Sequence, residues 1–199
     1  MTITPAEAAH RAASDLELIA WVDEHDQLLG AMPRAQLREA GLIGRCTFIL
    51  LFNSAGLLCI NRRSLSKAGY PGYWDVAAGG MVATDESDAE SAARELAEEL
   101  GVTGVELRFH ERFYFDQPGN RPWCGVFSAV WDGPLRLQPE EVSEARFVSL
   151  AQVDDERQRL PYCPDSLVAL QRYQAGLSKS AARSLRQVVK PAQNGAIQD

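Results

Sequence analysis

The sequence predicts an α/β fold, and three observations predict it. CTFILLF, Cys46 to Phe52, is a buried-type apolar run of strand length. Asn53-Ser54-Ala55-Gly56 is a turn sequence, and LLCINRR follows it as a second strand. The stretch from Ser87 to Leu100 has helical apolar spacing instead, and Gly101 supplies a C-terminal stop.

The other elements follow in chain order. Residues 1–17 are alanine-rich and polar, and read as a flexible or helical arm. From Leu18, LIAWVDEHDQLLGAMP reads as strand, turn, strand around Asp23-Glu24-His25-Asp26. A short helix opens near Pro33 and ends at Gly41. SLSKAGYPGY is a loop, and WDVAAGGMV is a short strand running into two glycines. Ser87 with Glu90 fits a capping box at the next helix, with Asp85 as a competing cap. Strands over Glu106 to Phe115 and Trp123 to Trp131 flank the turn DQPGNRP. EARFVSL is a last strand, and a helix starts after Pro164. The chain then divides into the arm, a single domain over residues 18–176 that includes the N-terminal hairpin, and a basic tail over 177–199. Lys179, Arg183, Arg186 and Lys190 give that tail its charge.

Composition bounds the function. A chain 46% apolar and 24% charged belongs with globular proteins. Its net charge of -7 argues against a general nucleic-acid binder, which needs a basic surface. A phosphorylated small molecule stays open, because a metal ion supplies positive charge locally. No apolar run reaches the roughly 18 residues of a membrane span. The N-terminus lacks the basic-then-apolar pattern of a signal peptide. Four cysteines, Cys46, Cys59, Cys124 and Cys163, are widely spaced and read as reduced thiols of a cytoplasmic protein.

The helix after Ser87 holds the chemistry. Ala89, Ala92, Ala93, Leu96 and Leu100 share an arc of about 100° at 3.6 residues per turn, which reads as the packed face. Glu95, Glu98 and Glu99 occupy the adjoining arc, where like charges repel. Arg94 reaches Glu90 and Glu98 through i,i+4 spacing. Three convergent carboxylates with no nearby lysine outline a site for a hard cation, Mg²⁺ or Mn²⁺. The plain alternative is a solvated acidic face. Upstream, Arg62, Arg63 and Lys67 are candidates for phosphate oxygens. Tyr73, Trp74, Tyr114 and Phe115 read as packing, Pro118 as a turn residue, and His10, His25 and His110 as scattered.

Gly80, five residues, Glu86, seven residues and then Arg94-Glu95-Leu96-Ala97-Glu98-Glu99-Leu100-Gly101-Val102 agree with the Nudix box at every specified position. The chain therefore resembles the Nudix hydrolases, most clearly over Thr47 to Leu150. The resemblance implies an α/β/α sandwich with a mixed β-sheet. It implies Glu95, Glu98 and Glu99 as metal ligands, the Gly80 carbonyl oxygen as a fourth, and Arg94 as the side chain that orients them. Glu86 becomes a partner that stabilises the loop. Gly79 and Gly80 permit a tight turn and close backbone approach. The implied reaction is hydrolysis of a diphosphate linkage, in a nucleoside diphosphate linked to another moiety or a related compound. A bound cation neutralises phosphate charge and lowers the pKa of water, and a carboxylate takes the proton. That base is a box glutamate or one of Glu140, Glu141 and Glu144.

Arg-Ser, Lys, Pro-Gly and Trp-Asp before the box are similar to isopentenyl-diphosphate isomerases, as is the N-terminal hairpin. Those enzymes use a cysteine in a Cys-Cys-Ser-His segment after the Trp. Here Asp75 to Gly80 holds neither thiol nor histidine, and the box is intact. The reading is thus a hydrolase with a small-molecule partner and a homodimer as a family habit. A silent ligand-binding module is the non-enzyme alternative.

Overall fold

The computed structural model describes residues 3–188. In chain order its elements are α1 (Pro5–Leu16), β1 (Leu18–Val22), β2 (Leu28–Pro33), α2 (Arg34–Glu39), β3 (Ile43–Phe52), β4 (Leu58–Arg63) and β5 (Trp74–Asp75). Then come α3 (Asp88–Leu100), β6 (Arg108–Tyr114), β7 (Trp123–Val130), β8 (Val142–Val148), α4 (Leu150–Glu156) and α5 (Pro164–Val188). They form the expected sandwich, a mixed sheet between helices.

β3 is the centre because both of its faces are apolar. Phe48 and Leu50 pack toward Val153 of α4 and Ala169 and Leu170 of α5. Ile49 and Leu51 pack toward Ala92, Leu96 and Leu100 of α3. Each Leu, Ile, Val or Phe among them, taken from water, contributes roughly 1.5–3 kcal/mol. β3 runs parallel to β7 from Arg45 to Phe52, and β1 meets its N-terminal end antiparallel.

The hairpin expected from CTFILLF and LLCINRR is joined only at its base, through Phe52 and Leu58. β4 then leaves to pair with β5 and β8. The physical reason is competition for an edge. Residues 78–82 take β3's second edge, with Ile49 N–H donating to Ala78 O at 2.8 Å and Thr47 N–H to Gly80 O at 2.9 Å. WDVAAGGMV is accordingly a strand only at Trp74–Asp75, followed by single bridges at Ala78 and Met81.

α3 starts at Ser87, not Asp85, with the full Ser87–Glu90 capping box, and ends at Gly101 with φ 67°. Its buried face differs from the expected one. Ser91, Ala92, Glu95, Leu96, Glu99 and Leu100 are buried, whereas Ala89 and Ala93 are exposed. The helix is rotated so that two glutamates, not two alanines, press inward.

The arm is helical but buries no residue. α4 falls where the apolar pattern predicts no helix, and its Ser149–Gln152 capping box is its local signal. α5 passes unbroken through residue 176, and its Tyr173 stacks on Phe52 at 5.5 Å. Lys190 lies outside the described residues. Among those residues no helix is long and apolar enough to cross a membrane.

Gly79 has φ 155°, and a Cβ there would run into the Thr47 carbonyl. Gly79→Ala is therefore expected to lower stability by about 2 kcal/mol or more. Thermal unfolding should show a drop of about 4 °C or more.

Candidate active site

The site is built around two glycines. Gly79 N–H donates to Glu99 Oε2 at 3.1 Å. The Glu95 carboxylate covers Gly80 so closely that a Cβ there would displace it. Both carboxylates are buried, at 8% and 4% exposure. Glu98, one turn on from Arg94, has a half-exposed side chain.

Arg94 gathers the acidic groups. Its Nη1 donates to Glu95 Oε1 at 2.9 Å and to Glu98 Oε2 at 3.0 Å. Its Nε and Nη2 fork onto Glu86 at 2.5 and 2.9 Å. Glu90, expected within its reach, instead closes the capping box with Ser87. One guanidinium thus holds three carboxylates, with the planar bidentate geometry that a lysine lacks.

The helix has no lysine beside its glutamates, but the phosphate candidate Lys67 comes to them from another segment. Lys67, from the loop after β4, sits 3.5 Å from Glu99 Oε1 and pairs with Glu141 Oε2. The other oxygen of Glu141 meets His10 Nε2 of α1 at 2.6 Å. Burial, with Glu99 beside it, pushes the Glu95 carboxyl up to about 7 against the pull of Arg94 and Lys67. Burial likewise pushes the Lys67 ammonium down to about 8, with Glu99 opposing.

A cavity of about 360 Å³ adjoins the glycines. Arg34 and Arg38 of α2, Arg63, Lys67, Asp75 and Asp165 are its charged landmarks. A register shift between Arg62 and Arg63 separates these neighbours. Arg63 turns into the cavity, 3.5 Å from Asp75. Arg62 is exposed and donates to Gly72 O. Of Glu140, Glu141 and Glu144, only Glu141 has its carboxylate at the site, through Lys67. Glu140 contributes its carbonyl oxygen to Ser64 and Ser66 at 2.6 and 2.8 Å. Glu144 is exposed on β8, opposite Arg62.

Several lining residues had no local signal. Asp75 is buried, and burial raises its carboxyl against the pull of Arg63. The DQPGNRP turn forms a wall through Pro118, Asn120 and Arg121, more than the turn role expected of it. Asn120 Nδ2 donates to Asp165 Oδ2 at 2.8 Å, across 45 residues of chain. Trp74 and Phe115 are core residues, as read; Arg146 stacks on Trp74 at 4.7 Å.

A family model, the NUDIX domain, matches residues 43–170. The chain belongs to the Nudix family. An uncharacterized Nudix hydrolase of Pseudomonas aeruginosa is 69% identical over 165 residues, covering 83% of this chain and 98% of that protein. The uncharacterized Nudix hydrolase YfcD of Escherichia coli K12 is 35% identical, covering 86% and 94%. Among solved structures, DR0079 of Deinococcus radiodurans shares the fold with TM-score 0.67 at 24% identity, covering 79% and 99%. The NUDIX domain of Shewanella oneidensis NrtR, solved with ADP ribose, shares it with TM-score 0.55 at 19% identity, covering 66% and 86%.

Nudix hydrolases in general use divalent metal ions and cleave pyrophosphate-type linkages. The donor set here suits such an ion: Glu95, Glu98, Glu99 and the Gly80 carbonyl are all hard oxygens. Two buried carboxylates also invite a cation, since buried charge is costly unless compensated. The rotamers are not gathered around one point. Among the described residues no group of three His, Cys, Asp or Glu side chains is spaced for a metal. Arg94 holds Glu95 and Glu98, while Lys67 and Gly79 hold Glu99. The Gly80 carbonyl accepts from Thr47 N–H and keeps one lone pair.

Arg94 holds the Glu86 carboxyl below its ordinary 4.5. A lowered carboxyl contributes stability above its unfolded pKa and loses it as pH falls through the folded one. Glu86→Gln is expected to cost about 1 kcal/mol at pH 7. Urea titrations should show that gap closing as pH drops below about 4.5.

Proposed function

We propose that this Nudix chain hydrolyses a diphosphate linkage in a nucleoside diphosphate joined to another moiety, with Mg²⁺ or Mn²⁺. The observation that carries this reading is that Glu95 and Glu99 stand against Gly80 and Gly79, which themselves line a cation-rich cavity, while Arg94 ties Glu98 to Glu95. Glu95, Glu98 and Glu99 would hold the divalent ion with the Gly80 carbonyl. When bound, such an ion neutralises the diphosphate and makes water more acidic.

The chain's own residues supply the rest. Lys67 and Arg63 face the cavity and take phosphate oxygens. Arg94 fixes the glutamates. Glu98 is the box carboxylate open to water and is assigned the proton-accepting role. Glu141 is less suited, being tied to both Lys67 and His10. Four buried free thiols among the described residues accord with a reducing cytoplasm.

The isomerase alternative lacks its nucleophile. Cys46 and Cys163 border the cavity, but both are held as thiols. A hydrogen bond with Cys124 pushes Cys46 well up, and burial does the same to Cys163.

A panel of dinucleotides, nucleotide sugars, ADP-ribose and nucleoside triphosphates tests the reading by product chromatography. Turnover should require added Mg²⁺ or Mn²⁺ and stop with a chelator. Glu98→Gln should lower kcat by about 10² or more. Lys67→Met should act mainly by raising KM, as loss of a phosphate contact does. Nucleotide binding without turnover of any compound would replace the hydrolase with a ligand-binding module.

A further inference from the structure

The cavity is lined by more cationic side chains than a diphosphate calls for, each of them paired with a carboxylate in the free protein. Arg34, Arg38, Arg63, Lys67 and Arg121 line it, against the carboxylates of Asp75 and Asp165. This excess stands in a chain whose net charge is -7. Arg63 and Lys67 lie at the Glu99 end and serve the diphosphate. Arg34 and Arg38 come from a different element, one turn apart on α2. A side cleft of about 50 Å³ carries the cavity on toward α1, and Arg34, Arg38, Arg63 and Lys67 border both spaces.

The partners that Arg34 and Arg38 now have are replaceable. Arg34 Nη1 donates to Ser14 Oγ at 2.7 Å and Glu17 Oε2 at 3.2 Å, and Arg38 Nη1 to Asp15 Oδ1 at 3.0 Å. All of these acceptors lie on α1 or at its C-terminal cap, and α1 buries no residue against the domain. Such partly exposed pairs are weak and screened. A dianionic phosphate offers the same guanidiniums more acceptor oxygens and more charge.

We propose that Arg34 and Arg38 form a second anion subsite, which takes a further phosphate on the substrate's distal moiety, away from the scissile diphosphate. The term substrate rests on the hydrolase reading; the binding claim rests on the cavity. The Asp15 and Glu17 carboxylates stand in for that phosphate in the free protein. Compounds bearing the extra phosphate bind more tightly than their otherwise identical partners.

Two matched pairs test this: NADH with NADPH, and dephospho-coenzyme A with coenzyme A. Each pair differs by one phosphate remote from the diphosphate. Calorimetry with full-length Glu98→Gln protein should show about tenfold or greater preference for the phosphorylated member of at least one pair. The same preference should appear in kcat/KM of the wild type. Arg34→Gln/Arg38→Gln should bring the ratio to near one, and Arg34→Lys/Arg38→Lys should restore part of it. Circular dichroism establishes that each variant folds, with the single substitutions in reserve. Equal binding within both pairs overturns the subsite, and so does a preference that survives the double Gln substitution. Selective binding without any turnover leaves the subsite standing and overturns the hydrolase reading instead.

Discussion

The structure depends on one close approach, that of Gly79 and Gly80 to Thr47. The backbone there lies against β3 on one side and under two carboxylates on the other. Neither side has room for a Cβ. Its hydrogen bonds to β3 complete the second edge of the central strand. Its Gly79 N–H fixes Glu99, and through Glu99 the rotation of α3. Gly79 and Gly80 also line the cavity, so the Glu95 and Glu99 carboxylates stand beside it.

Much of this was legible in the sequence, because the box concentrates it within one short segment. The cap at Ser87 and the stop at Gly101 are local facts of a helix, and helical spacing alone puts Glu95, Glu98 and Glu99 on one arc. The rotation of α3 was not legible. Apolar periodicity favours Ala89 and Ala93, and it gives no weight to a hydrogen bond from Gly79 to Glu99. Likewise a turn between two apolar strands announces a hairpin, but not the rival segment that takes the shared edge. Asp75, Asn120 and Asp165 reach the cavity from β5, the turn between β6 and β7 and the first turn of α5, so nothing nearby in sequence marks them.

The rotation answers the problem posed by so acidic a helix. Glu95 and Glu99 are buried and would repel each other in a medium of low dielectric. Three groups oppose that cost: the Arg94 guanidinium, the Lys67 ammonium and the Gly79 N–H. Each lies at a distinct carboxylate oxygen or edge, so each also orients what it neutralises. Glu86 completes the arrangement by fixing Arg94 from the loop before the helix.

One of these counter-charges also belongs to the cationic wall of the cavity. Lys67 serves two neighbourhoods at once, the Glu99 carboxylate and the cavity wall. If a divalent ion takes over the neutralisation of Glu99, the Lys67 ammonium is left nearest to whatever anion enters. Cation binding and anion binding then favour each other, because each relieves a charge the other would otherwise have to balance.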